Sequence, residues 1–258
     1  MMTQEEQLDF LIHYLLNERE EYKDIQMPND LSEKQRLLRS LMNVRPPIPA
    51  REDFLKVQDA YLQERLAQRG ITKPEDLTPV QPGRYLWQGD ITTLAADAIV
   101  NAANSQMLGC FVPCHGCIDN AIHTYAGVQL RMECARIMAR QKKEEPTGKA
   151  KITKAYNLPC RYVLHTVGPV IYGAVTQTDR ELLISCYRSC LELAKDNKLR
   201  KIAFCCISTG EFHFPNELAA EIAIQTVKTW QQQNPEQIEV IFNVFKDSDY
   251  EIYRHLLR

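Results

Sequence analysis

Residues 97–127 read DAIVNAANSQMLGCFVPCHGCIDNAIHTYAG. Three textures follow one another here. Ala98–Ala102 is a short apolar run, the mark of a buried strand. An aperiodic segment rich in Cys, Gly and Pro comes next, and from Asp119 onward apolar residues recur at helical spacing. Strand, loop and helix form the unit of an α/β sheet, whose ligands bind beyond the carboxyl ends of the strands. This loop carries chemistry. Cys110, His115 and Cys117 are spaced C-x4-H-x-C, with Cys114 among them. Thiolate and imidazole suit Zn²⁺, and three protein ligands with an open fourth position is the pattern of a catalytic or substrate-binding metal. It is not zinc-finger spacing, because no second ligand pair stands roughly 12–20 residues away. Free cysteines packed as small hydrophobes are the alternative. Two amides, Asn101 and Asn104, precede the cluster, and one carboxylate, Asp119, follows it.

The same texture extends outward from about residue 80. Further strands are predicted at Arg84–Trp87, Tyr162–His165, Ile202–Ile207 and Glu239–Val244. Helices are predicted at Asp119–Arg140, Asp179–Lys198, Asn216–Gln233 and Ser248–Leu257. Gln141–Gly148 is polar, contains Pro146 and predicts a loop. The alternation argues for helices layered on a largely parallel or mixed sheet. Three informative loops fall at strand ends: Gln88–Ile91, Asn101–Cys117 and Ser208–Phe212. The Ser-Thr-Gly turn of the third can offer main-chain N–H groups to a phosphate.

Residues 1–79 differ. Leu8, Leu11, Ile12, Leu15 and Leu16 fall at helical spacing, and Leu31, Leu37, Leu38 and Leu41 suggest a second helix. Pro46, Pro47 and Pro49 break the pattern, and Glu52–Gln68 predicts a third helix with Gly70 as its cap. This reads as a helical extension packed on a main domain of residues 80–258. The sharper reading is that one of its helices walls the ligand cleft.

Composition excludes several classes. The chain has 258 residues and a net charge of −2, so it carries no basic footprint for nucleic acid or anionic membrane. Residues 1–80 hold 11 Lys and Arg against 15 Asp and Glu. No apolar run has the length of a membrane span. The acidic start, MMTQEEQLDF, is unlike a secretory signal. Nine cysteines in a chain of this size fit a reducing cytoplasm, with thiols used as ligands or as core.

The segments GDIT (89–92), DAIVNAAN (97–104), IDNAIHTYAG (118–127), LPCRYVLHTVGP (158–169) and ISTGEFHFP (207–215) together resemble a macrodomain, the three-layer α/β/α fold that binds ADP-ribose. They fall in the expected order, and the resemblance extends over residues 84–257. Where hydrolytic members have a glycine-rich loop after the second asparagine, this chain has MLGCFVPCHGC. It is therefore similar to the zinc-containing microbial subgroup that removes mono-ADP-ribose from proteins. The resemblance implies one Zn²⁺ per chain held by Cys110, His115 and Cys117, with Cys114 a bystander. It implies that Asp90 and the Ile91 backbone read adenine, that Phe245 stacks on it, and that Ser208, Thr209, Gly210, Glu211 and Phe212 cradle the diphosphate. Glu211 stands where the family often has an apolar residue. Asn101 and Asn104 would bond the distal ribose, although Asn101 could instead pin nearby main chain. Asn104 and Asp119 would serve catalysis, while His123 and His165 would pack.

The implied reaction is hydrolysis at C1 of the distal ribose, freeing ADP-ribose from Asp or Glu side chains, with a lipoyl carrier protein as the implied substrate. The rival readings are a non-catalytic module that binds ADP-ribose or its acetylated form beside a structural zinc closed by Cys114, and an RNA-associated module. Mild acidity argues against RNA.

Overall fold

The computed structural model describes residues 2–234 and 238–258; Met1 of the extension lies outside them. Seven strands form one sheet: β1 (Pro79–Gln81), β2 (Arg84–Gln88), β3 (Ala98–Ala103), β4 (Ala150–Lys154), β5 (Tyr162–Val167), β6 (Lys201–Phe204) and β7 (Glu239–Val244). Their order is β1-β2-β7-β6-β3-β5-β4. The five central strands run parallel, and β1 and β4 pair antiparallel at the two edges. The mixed, largely parallel sheet expected from the sequence is therefore present. Residues facing both sides of the central strands are buried, which explains their unbroken apolar runs.

The helices of the main domain are α4 (Ile118–Ala126), α5 (Val128–Gln141), α6 (Gln177–Asp196), α7 (Asn216–Gln233) and α8 (Asp247–Leu256). The chain moves from β3 toward β5 in one direction, and from β5 through β6 to β7 in the other. Right-handed crossovers then place α4 and α5 on one face of the sheet and α6 and α7 on the other. The direction reverses between β3 and β6. Such a switch point opens a crevice at the carboxyl ends of the two strands, where residues 104–117 and 205–215 emerge.

Three expectations need correction. The single helix Asp119–Arg140 is two helices, broken at Gly127 with φ +92°. A Cβ there would stand 2.7 Å from the Gln58 and Gln129 side chains, so the break lets the extension approach. The strand Ile202–Ile207 ends at Phe204, because Cys205–Ile207 turn toward Ser208, whose φ is +66°. The edge strands β1 and β4 were not expected. Their residues are short in number or flanked by lysines, and half-exposed, so no apolar signal marks them.

The extension forms α1 (Gln4–Asn17), α2 (Leu31–Val44) and α3 (Glu52–Arg69). Its own apolar cluster joins Leu11, Ile12, Leu38, Leu41, Phe54 and Leu62, and reaches Val128 of α5. Polar contacts complete the seam. The buried Gln58 accepts from Val128 N at 2.9 Å and donates to Gln129 at 2.8 Å. Arg131 of α5 sends one guanidinium nitrogen to the carbonyls of Met42, Asn43 and Arg45. Its remaining N–H groups donate to the carbonyls of Leu108 and Cys110 in the cysteine-bearing loop.

Candidate functional site

The loop after β3 folds on itself. Asn104 Oδ1 accepts from the main-chain N–H groups of Gln106 and Met107, and Asn104 Nδ2 donates to Gly109 O at 3.2 Å. Cys110, His115 and Cys117 come together, with donor atoms all within 4.8 Å of one another. Cys110 Sγ lies 3.6 Å from His115 Nδ1. This set could hold a metal ion. Cys117 is also the N-cap of α4, its Sγ accepting from Asn120 N at 3.4 Å. Burial pushes the Cys117 thiol up to about 12, against the opposing pull of the Asn120 N–H. Cys114 is turned away. Its Sγ lies 3.2 Å from Ser40 Oγ of α2, so it does not close the set as a fourth ligand.

Asp119 sits in the first turn of α4 and is almost fully buried. Asn101 Nδ2 donates to its Oδ1 at 2.8 Å, and Asn104 Nδ2 lies 3.5 Å from its Oδ2. Burial lifts its pKa to about 6, while the Asn101 hydrogen bond and the Arg131 charge oppose the rise. Asn101 has no exposed surface. Its second amide hydrogen faces His165 Nδ1 at 3.1 Å, and His165 Nε2 lies 2.9 Å from Thr153 Oγ1. Asn101 therefore acts on Asp119 and His165 rather than on main chain.

A second cluster, His123, Cys134 and His165, also has donor atoms within 4.8 Å of one another. It is unlike the first. Both nitrogens of His165 are already occupied by Asn101 and Thr153, so no lone pair is left for an ion. His123 packs its ring against Gly109, where a Cβ would come within 2.7 Å of it. Burial holds the His165 pKa down to about 3. The unfolded chain has an ordinary value near 6.5 and takes up the extra proton first. The contribution of neutral His165 is thus complete above about pH 6.5 and shrinks as the pH falls toward 3. Between pH 6.5 and pH 5 the expected loss is about 2 kcal/mol. Urea midpoints of the wild type and His165→Gln at the two pH values measure it; equal acid losses in both proteins would refute it.

The loop after β6 provides the facing wall. Among the described residues, none of the five main-chain N–H groups from Ser208 to Phe212 donates to another protein group. Such a run of outward N–H groups is a nest for an anion. Gly168 makes the loop possible: a Cβ there would fall 1.9 Å from Ser208 Oγ. Sequence reasoning had not singled out Gly168. Glu211 Oε1 reaches across to His115 Nε2 at 3.5 Å, so the nest and the cysteine loop face each other over one cleft. Glu211 is thereby an acid inside an anion nest, with its carboxylate set against the His115 ring.

At the other end, Asp90 caps the short helical turn Ile91–Thr93, accepting from Thr92 N at 2.9 Å. Its second oxygen accepts from Arg69 of α3 at 2.9 Å. Arg69 in turn lies over the Tyr125 ring, 3.6 Å from its centroid. The Ile91 side chain is core, leaving only its backbone toward the cleft. Phe245, just past β7, is 75% exposed, which is what a stacking platform needs and a core residue would not show. Arg39 of α2 donates to His115 O and to Asn120 Oδ1. Arg39, Arg69 and Arg131 were missed in the sequence because each acts far from its own position in the chain.

The profile of one family, described as Macro domain, matches residues 100–223. A "Protein-ADP-ribose hydrolase" of Treponema medium is 57% identical, over 99% of this chain and 100% of that protein. A protein of the same name from Staphylococcus aureus (strain MRSA252) is 48% identical, over 96% and 93% of the two chains. The crystal structure of a Trypanosoma brucei macrodomain in complex with ADP-ribose superposes with a TM-score of 0.67 at 32% identity, covering 85% of this chain and 95% of that one. Likeness of this extent places the chain in the macrodomain family.

Proposed function

We propose that this protein is a protein-ADP-ribose hydrolase that releases mono-ADP-ribose from acidic side chains, with one zinc ion beside the distal ribose. The observation that carries the reading is the approach of Glu211 to His115 across 3.5 Å. It makes the anion nest and the cysteine–histidine set two walls of one cleft, with Asp119 two residues beyond Cys117 and beside Asn104. A ligand whose diphosphate lies in the nest has its distal sugar against the second wall.

The donor set fits zinc. Bonds of about 2.3 Å to sulfur and about 2.0 Å to nitrogen, at a tetrahedral angle, put the two donors about 3.5 Å apart, close to the 3.6 Å between Cys110 and His115. Two thiolates and one imidazole suit a borderline-soft ion. Bound there, zinc would supply Lewis acidity toward a ribose hydroxyl or a water. The chain's own residues do the rest. Ser208–Phe212 bind the diphosphate through main-chain N–H groups. Asp90, with Arg69 on Oδ2 and Thr92 on Oδ1, offers its remaining lone pair to the adenine amine, and Phe245 stacks on the ring. Asn101 and Asn104 hold Asp119, which orients the sugar or the attacking water. Water adds at C1 of the distal ribose, the bond to the carboxylate oxygen breaks, and ADP-ribose and the free acid result.

The substrate protein that fits the resemblance is a lipoyl carrier. No helix among the described residues is long and apolar enough to cross a membrane. Nine free cysteines suit a reducing cytoplasm.

Metal analysis and hydrolysis on one preparation test the proposal. We expect zinc near one equivalent per chain. We expect release of ADP-ribose from a glutamate-linked peptide that falls at least 10-fold on chelation and returns with zinc. Zinc and ADP-ribose binding without release would favour the non-catalytic module instead.

A further inference from the structure

Residues 1–79 contain seven arginines. Four are paired with carboxylates: Arg19 with Glu21, Arg45 with Glu18, Arg51 with Asp53 and Arg69 with Asp90. Among the described residues the other three, Arg36, Arg39 and Arg65, have no carboxylate partner. All three line one groove of about 400 Å³ between α2, α3 and α4, and no Asp or Glu lines it. The extension as a whole carries an excess of acid, so this concentration of unneutralised guanidinium groups runs against its own background. The groove also offers apolar surface from the half-buried Tyr125, over a floor of the nearly buried Leu38 and Leu62.

One end of the groove abuts the cleft. Cys114 of the cysteine loop lines it, one residue before His115. Arg39 stands on the boundary, its guanidinium on His115 O and on the Asn120 side chain. An extended chain lying in the groove therefore passes the candidate metal ligand.

We propose that this groove docks an acidic stretch of the modified protein, next in sequence to the residue that carries ADP-ribose. The inference rests on the hydrolase reading above and adds a substrate class to it. Three guanidinium groups call for an anionic occupant, since charge complementarity steers encounter and selects partners. The apolar surface favours a polypeptide, whose side chains can cover it, over a free phosphate, which gains nothing from it. The diphosphate of the ligand has its own nest in Ser208–Phe212. The modified side chain enters the cleft while its neighbours in sequence lie along α2 and α3, which gives the extension a use in choosing substrates.

The test compares the full-length wild type with the double reversal Arg36→Glu/Arg65→Glu. Arg39 is left in place because it holds the metal loop. The probes are two synthetic peptides carrying ADP-ribose on one glutamate, one with aspartates on both flanks and one with serines. We expect the wild type to show the lower KM for the acidic peptide, and this preference to fade between 50 and 300 mM salt, roughly as for screened charges. In the double reversal, KM for the acidic peptide should rise about 10-fold at unchanged kcat, with both constants for the serine peptide unchanged. An unchanged KM for the acidic peptide would overturn the proposal. So would equal weakening of both peptides and of free ADP-ribose, which would make the groove a nucleotide site. If the wild type cleaves neither peptide, the hydrolase reading fails instead. Fluorescence anisotropy with the unmodified acidic peptide then decides docking alone: binding lost in the double reversal upholds it, and equal binding refutes it.

Discussion

On the zinc-hydrolase proposal, Cys117→Ser is expected to remain folded, to bind no zinc and to hydrolyse at least about 100-fold more slowly than the wild type. The substitution separates two duties of one side chain. Cys117 caps α4 through its sulfur, and serine is the better N-cap of the two. The helix that carries Asp119 is therefore kept or strengthened. The oxygen is a poor replacement for a thiolate beside Cys110 and His115. Elemental analysis, a melting curve and the rate on a glutamate-linked substrate would be read together. Loss of zinc with full activity would remove the metal from the reaction, and retention of zinc would remove Cys117 from the ligand set.

Asp119→Asn should lower kcat by about 100- to 1,000-fold while ADP-ribose binds within a few-fold of the wild type. The carboxylate is held by Asn101 at 2.8 Å and is nearly inaccessible to solvent, so it makes few direct contacts that product affinity would report. Burial raises its pKa to about 6, which means that the folded protein bears a cost for the charge. Asparagine relieves that cost, and the melting temperature should not fall. A wild-type rate in this variant would show that Asp119 only shapes the loop. A rate loss matched by an equal loss of ADP-ribose affinity would move its part from the reaction to binding.

The elements that the sequence made legible share a property: their signal is local. The strand Ala98–Ala103 is buried on both faces, and its apolar run announces it. The donors of the candidate metal set lie within eight consecutive residues, 110–117, so their spacing could be read directly. Gly127 was harder. A glycine inside an apolar helical pattern is usually tolerated, and what breaks the helix is Gln58, far away in the chain and pressed against it. The strand Ala150–Lys154 has a lysine at each side of its apolar center and lies at an edge, so composition hides it. Gly168 is needed only because Ser208 comes to occupy the space where its side chain would be. Cys205–Ile207 looks like more strand because a buried turn and a buried strand have the same hydrophobicity.

The five carbonyls around Arg131 have a thermodynamic consequence. Three belong to the extension, at Met42, Asn43 and Arg45, and two to the metal loop, at Leu108 and Cys110. One buried cation, its pKa lowered to about 10 chiefly by desolvation, is thus shared between two pieces of chain that neither could satisfy alone. Free energy that orders one piece is then felt by the other, and such coupling is reciprocal. On the metal-binding proposal, loosening the N-terminal helices is expected to cost ion affinity at the cysteine-bearing loop, and a bound ion to tighten the helices by the same amount.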